Sequence, residues 1–312
     1  MKHSAKITII LLTFFLFAQL IGLFILSHYI DREQSQIQGK PIFKDLPLGE
    51  RPPLDEKTSY VPIISAIFVG TILLLVLIKL NWVWVWKAWF LLAVIMSLTM
   101  AFGAFFGRWV ALSFALILGV WKIFKPNFWI QNFTELFIYG GLAAIFVPIL
   151  NLWSISILLI LIAIYDAYAV WKSKHMITLA QSQTKAKLFA GLYIPYDFSA
   201  LKGKLLGKKK SNFKKVENKT IAGKNLAQVP VKVRTAVLGG GDIGFPLLFA
   251  GVVFKEIGGW YSLIITLFSL AGLAFLLWYG KEEKFYPAMP FIGAGCFLGL
   301  GVIWLIRLII GF

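Results

Sequence analysis

The chain has 312 residues, of which 59% are hydrophobic and only 14% are charged, and its formal net charge is +17. Soluble domains carry about 25% charged residues, so this composition excludes an ordinary soluble enzyme. The hydrophobic residues fall in runs of about 20, the length of a helix that crosses about 30 Å of hydrocarbon. These runs are too long and uniform for barrel strands, and we therefore expect an all-α integral membrane protein.

Nine hydrophobic runs are predicted to be transmembrane helices. They lie at 7–30, 60–80, 86–106, 109–125, 129–150, 153–172, 235–254, 260–279 and 287–309. The first run follows two lysines, as the apolar part of a signal peptide would. It is too long for that part, and no small-residue cleavage site follows it, so we interpret it as a span.

The placement of Lys and Arg residues predicts the orientation of these spans. With a cytosolic N-terminus, most of the 31 Lys and Arg residues are cytosolic, and the C-terminus lies outside. The basic segment 173–234 supplies this excess, since the two sides carry equal numbers without it. The chain then divides into six spans in 1–172, a basic cytosolic loop at 173–234 and three spans in 235–312. Such a loop is attracted to anionic lipid, and no motif indicates a nucleic-acid partner.

Metal and redox chemistry have little support in the sequence. The single cysteine, Cys296, lies in an apolar run and cannot form an intrachain disulfide, so we interpret it as a packed thiol. The three histidines are scattered along the chain. We therefore predict that the protein uses no metal and no cofactor.

Three acidic residues, Glu135, Asp166 and Asp242, lie within predicted spans. An ionisable group at membrane depth is energetically costly, and it is usually functional and directed toward protein or water. Glu135 follows the polar residues Gln131 and Asn132 near the inner start of its span. This setting favours a hydrated helix entrance, with a role beside the two aspartates as the alternative.

Asp166 and Asp242 are predicted to lie at one depth. Asp166 precedes Lys172 by six residues, and Asp242 follows Arg234 by eight, on spans of opposite direction. In helices these offsets are roughly 9 and 12 Å from the cytosolic face. Two neighbouring carboxyls can share a proton, and such a pair can activate water against a peptide carbonyl. The same pair could instead carry protons or cations through a transporter or channel.

The residues around Asp242 favour an open backbone. Three glycines precede it in Leu238-Gly239-Gly240-Gly241-Asp242, where they allow another chain to approach closely, although close helix packing is the alternative. Upstream, 229–233 alternates apolar residues with others, as a strand does, and an unfolded substrate could pair with its edge. The last predicted span begins with Pro287-Ala288-Met289, which alone is ordinary punctuation at a helix start.

Together these motifs resemble the presenilin and signal peptide peptidase family of intramembrane aspartyl proteases. The resemblance rests on Tyr165-Asp166 in the sixth span, Leu-Gly-x-Gly-Asp at 238–242, and a Pro-Ala-Leu-like element at 287–289. The segment 174–180 is also similar to prokaryotic presenilin homologues. Prepilin peptidases share a Gly-x-Gly-Asp element, but Tyr165-Asp166 and the proline element fit them poorly.

The resemblance implies a presenilin-like fold in a prokaryotic cell membrane and cleavage of single-span membrane proteins inside the bilayer. Asp166 and Asp242 would be the catalytic pair, acting on water without a cofactor. Tyr165, the Leu238–Gly241 segment and the element Pro287-Ala288-Met289 would support the site and bind substrate. Met289 replaces the leucine of the family motif, a change of similar volume. The 173–234 loop lacks the apolar segment at which presenilins are clipped, so we expect activity without obligatory partner subunits.

Overall fold

A computed structural model describes residues 4–173, 189–196, 235–280 and 286–311. Most of the basic segment 173–234, including the strand predicted at 229–233, lies outside these ranges. Within them, nine helices of 17 residues or more correspond one for one to the predicted hydrophobic runs. They are α1 (Ala5–Tyr29), α3 (Tyr60–Lys79), α4 (Val83–Gly103), α5 (Arg108–Phe124), α6 (Phe128–Phe146), α7 (Leu152–Tyr168), α8 (Gly240–Glu256), α9 (Gly259–Tyr279) and α10 (Met289–Ile310).

Seven helical segments in the described ranges are long and apolar enough to cross a membrane. The other two long helices, α5 and α8, have 17 residues each. At 1.5 Å per residue such a helix rises about 25 Å, which is shorter than the hydrocarbon core unless flanking residues extend it. The multi-pass, all-helical membrane character is therefore confirmed, whereas the count of nine spans and the orientation stay predictions.

Short elements complete the helical bundle. After α1 the chain forms a two-stranded antiparallel sheet, β1 (Ile30–Asp31) with β2 (Ile42–Phe43), separated by the short helix α2 (Arg32–Gln38). A 3₁₀ turn, Val147–Ile149, extends α6, and a π-helical turn, Ala169–Ser173, extends α7. A second antiparallel pair, β3 (Gly191–Pro195) with β4 (Thr235–Gly239), leads directly into α8.

The seventh span was predicted to begin at residue 235, which is five residues before the helix begins. Residues 235–239 form β4, and the helix begins at Gly240 with Gly239 as its N-cap in an extended conformation. The segment Thr235–Leu238 is apolar enough to look like the start of a span, but its backbone pairs with β3 in the register Leu192↔Leu238. This pairing satisfies backbone groups that a helix would otherwise satisfy internally.

Helices α1 and α8 lie side by side and run in the same direction. The Gln19 side chain donates a hydrogen bond of 2.9 Å to the Ile243 carbonyl. One turn further along, Leu247 fills the space beside Gly22, and Leu26 lies next to Gly251. Small residues at these positions allow two helix backbones to approach closely in a membrane. This contact fixes the height of the first turn of α8 against the middle of α1.

Candidate active site

Asp166 lies in the last turn of α7 and is only 9% exposed. Its Oδ2 atom accepts a hydrogen bond of 3.1 Å from the backbone N–H of Met289. Met289 is the first residue of α10, where amide groups have no partner inside the helix. The carboxyl of Asp166 therefore caps the N-terminus of α10, and this bond orients it.

Asp242 lies in the first turn of α8, so the second aspartate is also at a helix N-terminus. Its carboxyl turns back toward the N-cap, because its Oδ2 atom is 3.2 Å from the position that a Cβ on Gly239 would take. Asp242 is partly exposed, and the neighbouring Ile243 is completely buried. Both acids thus lie at the positive end of a helix dipole.

Both acids lie at the level of the middle of neighbouring helices. Ile243, which follows Asp242, is bonded to Gln19 near the middle of α1. Tyr165, which precedes Asp166, packs edge-on against Phe68 near the middle of α3, with ring centroids 5.3 Å apart. The helical offset predicted for Asp242 does not apply, since residues 235–239 form the strand β4 and not a helix.

One buried apolar cluster joins the surroundings of the two acids. It contains Ile162, one turn before Asp166, together with Leu238, Ile243 and Met289. Helix α8 packs against both α7 and α10. Pro287 and Met289 are buried and Ala288 is partly buried at the start of α10. Residues next to all three motifs therefore border the same large apolar core, and the shared site itself stays a prediction.

The three glycines before Asp242 have different neighbours. A Cβ on Gly239 would lie 3.2 Å from Asp242 Oδ2, and one on Gly240 would lie 2.9 Å from the Tyr139 hydroxyl. A Cβ on Gly241 would meet the Phe245 ring at an ordinary 3.5 Å. Gly239 thus leaves room for the carboxyl, and Gly240 leaves room for a tyrosine of α6. Close packing against α6 therefore accounts for Gly240, as the alternative in the sequence analysis expects, whereas Gly239 makes room for a carboxyl of its own helix.

Glu135 is not at a hydrated helix entrance, because it is only 1% exposed. Lys122 of α5, itself 2% exposed, donates a hydrogen bond of 2.6 Å to Glu135 Oε1. The hydroxyl of Tyr139 donates to Glu135 Oε2. Lysines at the inner ends of predicted spans are expected to be cytosolic charges, but the ammonium group of Lys122 is paired inside the bundle instead.

Two side chains of α6 hold the strand β3. Asn132 donates to the Tyr193 carbonyl at 2.9 Å and accepts from the Tyr193 N–H at 3.0 Å, as a neighbouring strand would. Gln131 donates to the carbonyls of Phe189 and Gly191 at 2.9 and 3.0 Å. The outer edge of β3 is therefore closed by α6, and the hairpin is fixed to the same helix that carries Glu135.

Sequence reasoning did not identify Lys122, Gln131, Asn132 and Tyr139 as parts of one arrangement around the hairpin. The available signal was the polar group Gln131, Asn132 and Glu135 on one helix, where an acid inside a span needs a partner. That signal did not identify Lys122, which lies on another helix, or the strand that the amides hold.

A sequence profile described as "Signal-peptide peptidase, presenilin aspartyl protease" matches residues 12–309 of the chain. Two solved structures of a presenilin family intramembrane aspartate protease are similar in fold. The one in space group C222 has a TM-score of 0.59 at 20% identity, covering 95% of this chain and 97% of that chain. The one in space group P2 has a TM-score of 0.57 at 20% identity, covering 94% and 95%. No curated protein sequence matches the chain.

Proposed function

Since the chain belongs to the family of signal-peptide peptidase and presenilin aspartyl proteases, we propose that Asp166 and Asp242 are the catalytic pair of this intramembrane protease. One observation carries the proposal. Each acid lies at the N-terminus of a helix, level with the middle of a neighbouring helix, and the two helix starts share one buried core. Acids at such depth are costly, and a reaction that needs both accounts for their retention.

The pair hydrolyses a peptide bond by general acid and base catalysis. One carboxylate takes a proton from a water molecule as the water oxygen attacks the peptide carbonyl carbon. The other carboxyl, protonated, donates its proton toward the oxygen of the developing tetrahedral intermediate. As the intermediate collapses and the C–N bond breaks, the carboxyl that took the water proton donates it to the leaving amine. The other carboxylate takes a proton from a hydroxyl of the intermediate, which restores the pair. These steps need only water and the two carboxyls, so we expect no cofactor.

The Met289 amide supports one half of this pair. Its N–H bond to Asp166 Oδ2 holds the carboxyl at a fixed orientation. Because the donor is a backbone group, the arrangement depends on where α10 begins more than on the side chain at 289. Pro287 favours this by stiffening the chain just before the helix.

The β3–β4 hairpin offers an edge for an unfolded substrate. Asn132 makes hydrogen bonds to the N–H and the carbonyl of Tyr193 at the outer edge of β3. Among the described residues, β4 pairs with no strand other than β3. Val237 of β4 is 50% exposed, and the acid follows five residues later. We propose that a substrate segment adds as a strand to β4, which extends the scissile bond beside the acids.

The substrates proposed are single-span membrane proteins whose N-terminus lies outside, cleaved within their hydrophobic segment. A transmembrane helix satisfies its own backbone groups, so its peptide bonds are inaccessible until it unwinds. Strand addition compensates for the hydrogen bonds lost on unwinding. We expect the chain to act without obligatory partner subunits, in a prokaryotic cell membrane.

The test is cleavage of a purified single-span substrate by the full chain, with mass analysis of both products. Asp166→Ala and Asp242→Ala should each abolish cleavage, and Glu56→Gln should not, because the Glu56 side chain is half-exposed in its ion pair with Lys255. The wild-type products should end within the hydrophobic segment. Cleavage that persists in either aspartate variant would refute the proposed pair.

A further inference from the structure

A buried polar network on α5 and α6 lies beside the proposed site and has no part in the mechanism above. Glu135 is its centre. Its Oε1 accepts from Lys122 at 2.6 Å and from Gln131 at 3.1 Å, and its Oε2 accepts from the Tyr139 hydroxyl. Lys122 also donates to Thr134 Oγ1 at 3.1 Å. Both carboxylate oxygens and the ammonium group are thus hydrogen-bonded with almost no exposure to solvent.

An ion pair of this kind is an inefficient way to hold two helices together. Removing two charges from water costs more than their attraction returns in many proteins, and apolar residues of similar volume often pack at least as well. The cost is higher where hydrocarbon surrounds the bundle. The network is therefore better explained by what it orients than by the stability it adds.

Tyr139 connects the network to the turn that carries Asp242. Its hydroxyl is 2.9 Å from the position of a Cβ on Gly240, and its Cδ1 atom is 3.7 Å from that on Gly244. The phenol ring therefore lies along the first turn of α8, from before the acid to after it. The hydroxyl donates to Glu135, which fixes the ring in this place.

The same helix holds the other side of this turn. The Gly240 N–H donates to the Ala190 carbonyl at 3.1 Å, and Gln131 holds the carbonyls on either side of Ala190. Gln131 in turn donates to Glu135. Glu135 is therefore bonded both to the side chain that packs on the turn and to the side chain that holds its strand partner.

We infer that Tyr139 is a positioning residue for Asp242, and that the buried Lys122–Glu135 pair serves to hold its hydroxyl. This inference rests on the proposed function, because it assigns the network to the reaction of the two aspartates. Glu135 supplies the acceptor, and Lys122 supplies the counter-charge that lets a carboxylate remain in the bundle. Gly240 is a glycine because the tyrosine occupies the space that a side chain would take.

The first test compares two tyrosine variants of the full chain in the substrate cleavage assay. Tyr139→Phe should lower kcat about 10- to 100-fold and leave KM nearly unchanged, as misplacing a reacting group by a fraction of an ångström does. Tyr29→Phe is the matched control, since its buried hydroxyl donates 2.6 Å to the Met100 carbonyl and does not contact either acid or the network. Unchanged kcat in Tyr139→Phe, or an equal loss in both variants, would overturn the inference.

A second pair of variants separates positioning from folding. Lys122→Met with Glu135→Gln removes both charges but keeps an amide oxygen that can accept from Tyr139. Lys122→Met with Glu135→Leu removes the acceptor as well. Both proteins should melt at similar temperatures, and only the leucine protein should show the loss of kcat seen in Tyr139→Phe. If kcat follows the melting temperature instead, the network is structural and the inference fails.

Asp166→Ala and Asp242→Ala are included to keep the two proposals distinct. If both abolish cleavage while Tyr139→Phe cleaves normally, only the positioning role is refuted. If an aspartate variant still cleaves, the catalytic pair itself is refuted, and the tyrosine has no pair to position.

Discussion

Backbone amides and glycine positions contribute directly to holding Asp166 and Asp242. Asp166 accepts from the amide of Met289, and Asp242 bends back over a glycine that has no Cβ to obstruct it. Both arrangements use the unpaired amide end of a helix, where a carboxyl finds donors without another charged residue. This is an economical way to hold acids in a bundle whose residues are mostly apolar.

At this scale the side chain of residue 289 should matter little to the reaction. Met289→Leu keeps the buried volume and the backbone N–H, so stability should fall by less than about 1.5 kcal/mol and cleavage should stay near the wild-type rate. Met289→Ala should lower stability by about 2–5 kcal/mol, because the side chain is 3% exposed and a cavity would remain. Thermal melting and cleavage rates of the two variants test this. A large loss of cleavage in the leucine variant would contradict it.

The two aspartates were predictable from sequence because each is an acid within an apolar run and each belongs to a short motif. Lys122 and Glu135 were harder for a physical reason. The two residues are each other's partners but lie 13 positions apart on two helices, so no local sequence pattern connects them. Lys122 lies near the end of a hydrophobic run, where a basic residue usually reaches solvent. The burial of Lys122 follows from tertiary packing, which cannot be predicted from the neighbouring residues in the sequence.

The hairpin and α6 form one unit at the scale of secondary structure. Asn132 makes two hydrogen bonds to Tyr193 on the side of β3 away from β4, and Gly240 continues from β4 into the helix of Asp242. A hairpin of two strands is marginally stable on its own. The amide side chain thus serves as a third strand for β3, and the open edge is left on β4.

Asn132→Ala should therefore release β3 and weaken substrate binding. Loss of two buried hydrogen bonds should lower the free energy of unfolding by about 1–3 kcal/mol. We also expect a higher KM for the substrate. Asn151→Ala is the control, since it removes an N-cap of α7, at a cost of about 1 kcal/mol, at the end of the helix away from Asp166. Cleavage kinetics and melting temperatures measure both effects. A normal KM in Asn132→Ala would show that the hairpin does not bind substrate.

The start of α8 shows why an element boundary was predicted wrongly. Thr235–Leu238 is apolar and continues into a hydrophobic run, so hydropathy extends the span over it. The deciding fact is its pairing with Gly191–Pro195, whose residues lie 40 to 48 positions before their partners in the chain. Helix type and order were predictable from run length, because a membrane permits little else, whereas strand pairing across that separation was not.

At the scale of the whole molecule, the predicted orientation rests on the basic segment 173–234, which we expect to lie near the cytosolic leaflet. Single cysteines can report it, because Cys296 is completely buried and gives little background. In intact cells an impermeant maleimide should label Gln36→Cys in α2, which is exposed in the loop predicted outside. Ser211→Cys in the basic segment should react only after permeabilisation. The reverse pattern would invert the predicted orientation and the proposed substrate class.

The central claim is that the two carboxyls act together on one peptide bond. The most direct measurement is the affinity of a substrate-like peptide that carries a hydroxyl in place of the scissile carbonyl. Hydrogen bonds to charged groups contribute about 1.5–3 kcal/mol, so Asp166→Asn and Asp242→Asn should each weaken binding by about 10- to 150-fold. Equal affinity in the wild type and either variant would contradict a shared catalytic pair.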